Sequence, residues 1–104
     1  NTAIGTKPVI LSSKINKNPV TQKFYSPNGK GELVIEAPEI LSSIKISINS
    51  NELNLDKSQI DRRTNRINVD NYINKGKNEV TYYPPSENGR VYKAWIEVYK
   101  AKNE

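Results

Sequence analysis

Ile44-Lys45-Ile46-Ser47-Ile48-Asn49 begins the part of the chain that decides its fold. After a polar insert comes Ile67-Asn68-Val69-Asp70-Asn71-Tyr72-Ile73-Asn74-Lys75-Gly76-Lys77-Asn78-Glu79-Val80, and Ala94-Trp95-Ile96-Glu97-Val98 closes the segment. Ile44, Ile46 and Ile48 fall on one face of an extended strand, with Lys45, Ser47 and Asn49 on the other. β-Branched residues at every second position argue against a helix. A polar turn at Ser50-Asn51 leads into Glu52-Leu53-Asn54-Leu55, so 43–55 reads as a hairpin.

Outward from this segment the same period recurs. Val20, Gln22 and Phe24 alternate with Thr21, Lys23 and Tyr25, as in an edge strand, and Ser26-Pro27-Asn28-Gly29 has the composition of a turn. Glu32 to Glu36 reads as a strand, and 56–66 as a loop without periodicity. Ile67 and Val69 suggest a short strand, Tyr72-Ile73 a tight helical turn plugging one end, and Asn-Lys-Gly a turn before a strand over 79–83. Pro84-Pro85 stops that strand, and Glu87-Asn88-Gly89-Arg90 turns the chain into a last strand from Val91 to Lys100. The expectation is an all-β fold, an antiparallel β-sandwich of jelly-roll or immunoglobulin-like type. Residues 1–104 form one domain of it, with 1–18 a linker or an edge strand around Val9-Ile10-Leu11.

Composition narrows the chemistry. The 104 residues contain neither Cys nor His, so disulfides, a thiolate nucleophile, a Ser-His-Asp triad and the usual zinc ligand sets are excluded. Glycine-rich phosphate loops are missing as well. Asp56, Asp61 and Asp70 lack EF-hand spacing, which leaves room only for a structural calcium ion between sandwich loops; no other cofactor is expected. Glu79 and Glu97 sit in strands, where alternation makes them solvated charges opposite lysines rather than a glycosidase pair. Enzyme activity is not expected.

Lys outnumbers Arg 12 to 4 and the net charge is +5, part of it a reflection of AT-rich codons for Asn, Ile and Lys. Methionine is absent, which reads as a processed product or a domain excised from a larger protein. No apolar run is long enough for a signal peptide or a membrane span. Lys57, Arg62, Arg63 and Arg66 make the loop basic, but no aromatic residue is interleaved with them, so a solvated loop is expected rather than a nucleic-acid site.

The last strand carries the features that could bind. Tyr92, Ala94, Ile96 and Val98 make an apolar row suited to the core, and the opposite row holds Val91, Lys93, Trp95, Glu97 and Tyr99. Trp95 and Tyr99 would then stand about 13 Å apart on one face. Tyr83 would join them if its strand were adjacent, and Lys93 and Arg90 would supply polar contacts. Rings on a flat β-face stack on the apolar C–H faces of sugars. Burial of Trp95 under the N-terminal segment, or packing of this row against a neighbouring domain, are the competing structural readings.

The segment Val69-Asp70-Asn71-Tyr72-Ile73-Asn74-Lys75-Gly76-Lys77-Asn78-Glu79-Val80 resembles a pattern of galactose-binding-like jelly-roll domains, in which Lys-Gly-x-Asn precedes an alternating strand. Ile46-Ser47-Ile48-Asn49-Ser50-Asn51-Glu52-Leu53 is similar to the strand and hairpin of that group. The resemblance covers about residues 43–98. It implies a non-catalytic accessory module of a secreted or surface-attached bacterial multidomain protein, of the kind appended to hydrolases. Its partners would be the neighbouring domains of the parent protein and a polysaccharide. A structural or protein-interaction module of an adhesin, surface-layer protein or multidomain peptidase is the alternative.

Overall fold

The computed structural model describes residues 5–13, 18–39 and 41–98, which form two four-stranded antiparallel sheets packed face to face. One sheet has the order β1 (Val9–Ser12), β8 (Val91–Val98), β3 (Gly31–Glu36), β6 (Thr64–Asn68). The other runs β2 (Val20–Ser26), β7 (Gly76–Tyr82), β4 (Ser43–Ile48), β5 (Asn51–Asp56). A 3₁₀ turn, Asp70–Tyr72, joins β6 to β7. The β-sandwich expected from the alternation is present. No helix among the described residues is long and apolar enough to cross a membrane.

Period-two burial produces the core. Ile44, Ile46 and Ile48 of β4 point inward together with Val80 and Tyr82 of β7, and meet Leu33, Ile35, Tyr92, Ala94 and Ile96 from the facing sheet. Removing these side chains from water is the main stabilising term, at roughly 1.5–3 kcal/mol for each large one fully buried. Val9-Ile10-Leu11 belongs to an edge strand, with Leu11 wholly buried, and β2 is an edge strand of the other sheet.

Three local expectations are corrected. The β4–β5 turn is centred one residue earlier than Ser50-Asn51. Asn49 and Ser50 take φ of 51° and 69°, and Ile48 pairs with Asn51. A two-residue turn with positive φ at both positions matches the twist of the hairpin, and Asn tolerates that conformation better than most residues. The span 56–66 is not wholly a loop. β6 begins at Thr64 and ends at Asn68, while Val69 lies beyond it, buried. Gly76, Lys77 and Asn78 belong to β7 rather than to a turn before it.

The end of the sandwich near the 3₁₀ turn is closed by side-chain amides and one carboxylate. Asn78 is buried and uses both ends of its amide. Its Oδ1 accepts from Asn74 N at 2.7 Å and from Asn49 Nδ2 at 2.8 Å, while its Nδ2 donates to the carbonyls of Asn74 and Gly76. Asn49 also accepts from Glu79 N and donates to Tyr72 O. Asp70 Oδ1 accepts from Gly31 N at 2.9 Å, and Val69 N donates to Gly31 O. Gly31 has to be glycine for space: an added Cβ would stand 2.7 Å from the Glu97 carbonyl and 2.9 Å from Ile73 Cδ1.

Candidate functional site

β8 runs between β1 and β3, so its outward row lies in the middle of the open face of its sheet. Register sets the neighbours. Lys93 lies between Ile10 of β1 and Glu36 of β3, Trp95 lies across from Val34, and Glu97 lies across from Glu32. β6 completes the rows with Thr64, Arg66 and Asn68, register partners of Glu36, Val34 and Glu32. Cross-strand partners share a face, so Trp95, Val34 and Arg66 form one transverse row.

Polar contacts fix Trp95 in this setting. It is half-buried, and its indole Nε1 donates to Glu97 Oε2 at 2.9 Å. Lys93 Nζ is 5.9 Å from the ring centroid, within cation–π reach. Glu97 faces Glu32 rather than a lysine, which corrects the sequence expectation; like charges directly opposite are unfavourable. Arg66 relieves the repulsion. Its Nη1 stands 2.7 Å from Glu97 Oε1 and 3.3 Å from Glu32 Oε1.

The electrostatics follow from that bridge. The hydrogen bond from Arg66, and then the one from the Trp95 indole, hold the Glu97 carboxyl below its ordinary value of 4.5. The same contact with Glu97 raises Arg66 above its ordinary value. All of these groups meet solvent, so the network orients the indole more than it stabilises the fold.

Next to this row, toward the opposite end of the sandwich, lies a hollow of about 270 Å³. Ile10, Ala37, Pro38 and Val91 give it apolar walls, and Glu36, Arg63, Thr64 and Lys93 give it polar ones. Ile10 is 61% exposed, the most open large apolar side chain described. Lys93 borders the hollow, approaches the indole, and lies 3.9 Å from Glu36 Oε1. An aromatic plate, an apolar ledge and several charged or hydroxyl groups thus share one open surface.

Of the residues singled out in the sequence, the structure brings together Trp95 and Lys93. Tyr83 follows β7 on the other sheet, where its N–H bonds Lys45 O and Lys45 Nζ lies 4.4 Å from its ring centroid. Arg90 stands in the loop before β8, where it bonds Glu39 Oε2 at 3.0 Å and approaches Glu87. Neither joins the Trp95 row. Tyr99 lies outside the described residues.

Glu32, Glu36 and Ile10 are the site residues that the sequence did not reveal, and Arg63 and Arg66 were expected only in a solvated basic loop. Glu97 was visible, two positions from Trp95 and therefore on its face. The place of Arg66 on that face was not, because β6 has no apolar alternation: its buried Asn65 is held by bonds with Arg62 N and O instead of apolar packing. Among the described residues, no group of three or more carboxylates gathers as a metal cluster. No family model, no curated protein and no solved structure matches the chain.

Proposed function

We propose that this chain is a non-catalytic accessory β-sandwich of a secreted or surface-attached bacterial multidomain protein, and that it holds a carbohydrate on the Trp95 face. The observation that carries the reading is Lys93, which links a hydrogen-bonded, half-open indole to a hollow with both apolar and polar walls. A sugar ring laid on the indole keeps its apolar C–H face against the ring. Its hydroxyls then meet Lys93, Glu36 and Arg63, which offer donors and acceptors together. The galactose-binding-like resemblance of 43–98 favours the same setting.

The test is a titration of the isolated domain with soluble oligosaccharides, followed by the emission of its single tryptophan. A bound sugar shifts and quenches the emission, and Lys93→Ala weakens the response at least tenfold. Emission indifferent to every member of a broad glycan panel sinks the carbohydrate reading.

The exposure of Ile10 supports a second reading, in which a neighbouring domain of the parent protein covers this face. In that case Ile10→Asp disrupts the joined domains but leaves the isolated sandwich folded. A glycan site is much less sensitive to that substitution than to Lys93→Ala.

A further inference from the structure

The end of the sandwich closed by Asn49 and Asn78 has a surface that the Trp95 face does not use. Tyr25 and Tyr72, 41% and 36% exposed, lie there, and with Ile10 they complete the exposed large apolar side chains of the described residues. Lys23, Lys30, Lys75 and Lys77 surround them, all exposed. Register places Tyr25 directly across from Lys77, with Lys23 two residues away on the same face of β2. The 26–30 turn abuts the Asn74-Lys75 backbone, since a Cβ added to Gly29 would stand 3.2 Å from Lys75 N, and this brings Lys30 and Lys75 to neighbouring turns.

None of these four lysines enters an ion pair among the described residues; Arg66, Arg90 and Lys93 make those. Among the described residues three carboxylates lie near these lysines, and one of them, Glu32, two residues from Lys30, is bridged to Arg66. Asp70 is turned to the Gly31 N–H, and Glu79 faces Lys23 across the strands. Positive charge remains in excess. Lys23 and Lys77 also border a shallow hollow of about 400 Å³, lined by Asn49, Ser50, Asn78 and Glu79.

We infer that this end docks on a membrane surface rich in anionic phospholipid. The lysines attract the negative leaflet, and the two tyrosines enter the headgroup layer, where an amphipathic ring is favoured. The hollow between Lys23 and Lys77 is placed for a headgroup phosphate. A nucleic-acid strand fits less well. The cluster has no arginine fork for phosphate, and its tyrosines stand on separate elements instead of forming a stacking row.

Co-sedimentation with vesicles tests the inference. The protein binds vesicles of phosphatidylglycerol and phosphatidylcholine, is released by high salt, and ignores vesicles of phosphatidylcholine alone. Each lysine is worth about fivefold in partitioning, so Lys30→Ala with Lys75→Ala lowers binding about 25-fold. Lys57→Ala, at the other end of the sandwich, changes it little. Tyr25→Ser with Tyr72→Ser weakens binding without removing its salt dependence, and circular dichroism verifies that each variant is folded. Equal binding to neutral vesicles, no binding at low salt, or an unaltered double-lysine variant overturns the inference. So does retention by single-stranded DNA or a polyuronate in place of vesicles.

Discussion

Trp95 of β8 and Val34 of β3 are register partners on the outer face of their sheet, and Val34 is wholly buried although its side chain points away from the core. Leu33 and Ile35 on either side belong to the core cluster, and Val34 does not. Groups standing on the open face shield it, and among the described residues its cross-strand partners there are Trp95 and Arg66, with Glu32 and Glu36 on either side along β3. The indole therefore has a structural duty besides any ligand. Trp95→Ala is expected to cost about 2 kcal/mol, roughly what leaving a buried Val exposed would lose, measured by urea denaturation. Val34→Ala costs about the same but keeps the emission response to glycans. Loss of that response in Val34→Ala would mean that folding and not the ring governs it.

Glu97 gives the indole a pH dependence. Its folded-state value is depressed by Arg66 and by Trp95, so the bonded arrangement is complete above 4.5 and is lost as pH falls through the lower folded value. Tryptophan emission should accordingly titrate below pH 4.5 while the fold persists. Glu97→Gln should remove the step. A transition at or above 4.5 would contradict the bridge.

Asn78 is the most heavily bonded side chain at the closed end. Asn78→Ala strands the Asn74 N–H and the Asn49 amide, at an expected loss of about 2–4 kcal/mol. Asn78→Asp keeps the shape but faces the Asn74 and Gly76 carbonyls with an acceptor, so it destabilises more at neutral pH than at pH 3. Denaturation midpoints at the two pH values decide this.

Gly31→Ala tests space instead of bonding. The new Cβ meets the Glu97 carbonyl, a backbone atom held in the β3–β8 pairing, and the tip of Ile73. An overpacked site of this kind costs about 1–3 kcal/mol. Gly89→Ala, at a φ of 80° with open space around it, is strained by backbone conformation alone. Adding Ile73→Val should recover part of the loss only in the Gly31 variant.

Two buried tyrosines with opposite hydrogen bonding make a matched pair. Tyr92 donates to Tyr83 O at 2.6 Å, whereas the Tyr82 hydroxyl makes no bond of good geometry. Burial pushes the Tyr82 phenol up to about 12, with a smaller opposing pull from Thr6, and pushes Tyr92 up as well. Tyr92→Phe should cost about 1–2 kcal/mol, and Tyr82→Phe should stay within about 0.5 kcal/mol or stabilise. Both phenols should resist ionisation at pH 10.5, as read by absorbance.

The sandwich was legible where alternation writes itself in apolar residues: Ile44-Ile46-Ile48, Val80-Tyr82 and Tyr92-Ala94-Ile96. β6 is half hidden because Thr64 to Arg66 present no such row, so the sequence there reads as a longer loop than the fold contains. The β4–β5 turn slipped by one because Asn49, Ser50 and Asn51 all suit a turn, and which pair takes positive φ depends on Asn49 reaching Asn78 and Tyr72. The candidate site divided in the same way. Trp95 and Lys93 share one strand, and period two places them together. Tyr83 went to the other sheet, because β7 and β8 follow one another in sequence but pair in different sheets. No local pattern encodes that choice.

The antiparallel pairing of β1 with β8 has a mechanical consequence. The chain enters β1 beside Ala94 and leaves β8 past Val98, so both strands open toward the same end of the sandwich, where Thr6 still bonds Ile96. Tension applied to the chain on either side of this pair pulls the two strands apart from that end. Their hydrogen bonds are then loaded one after another, as in a zipper, rather than all together in shear. Under stretching, the four-residue pairing of β1 with β8 is expected to open before the six-residue pairing of β8 with β3.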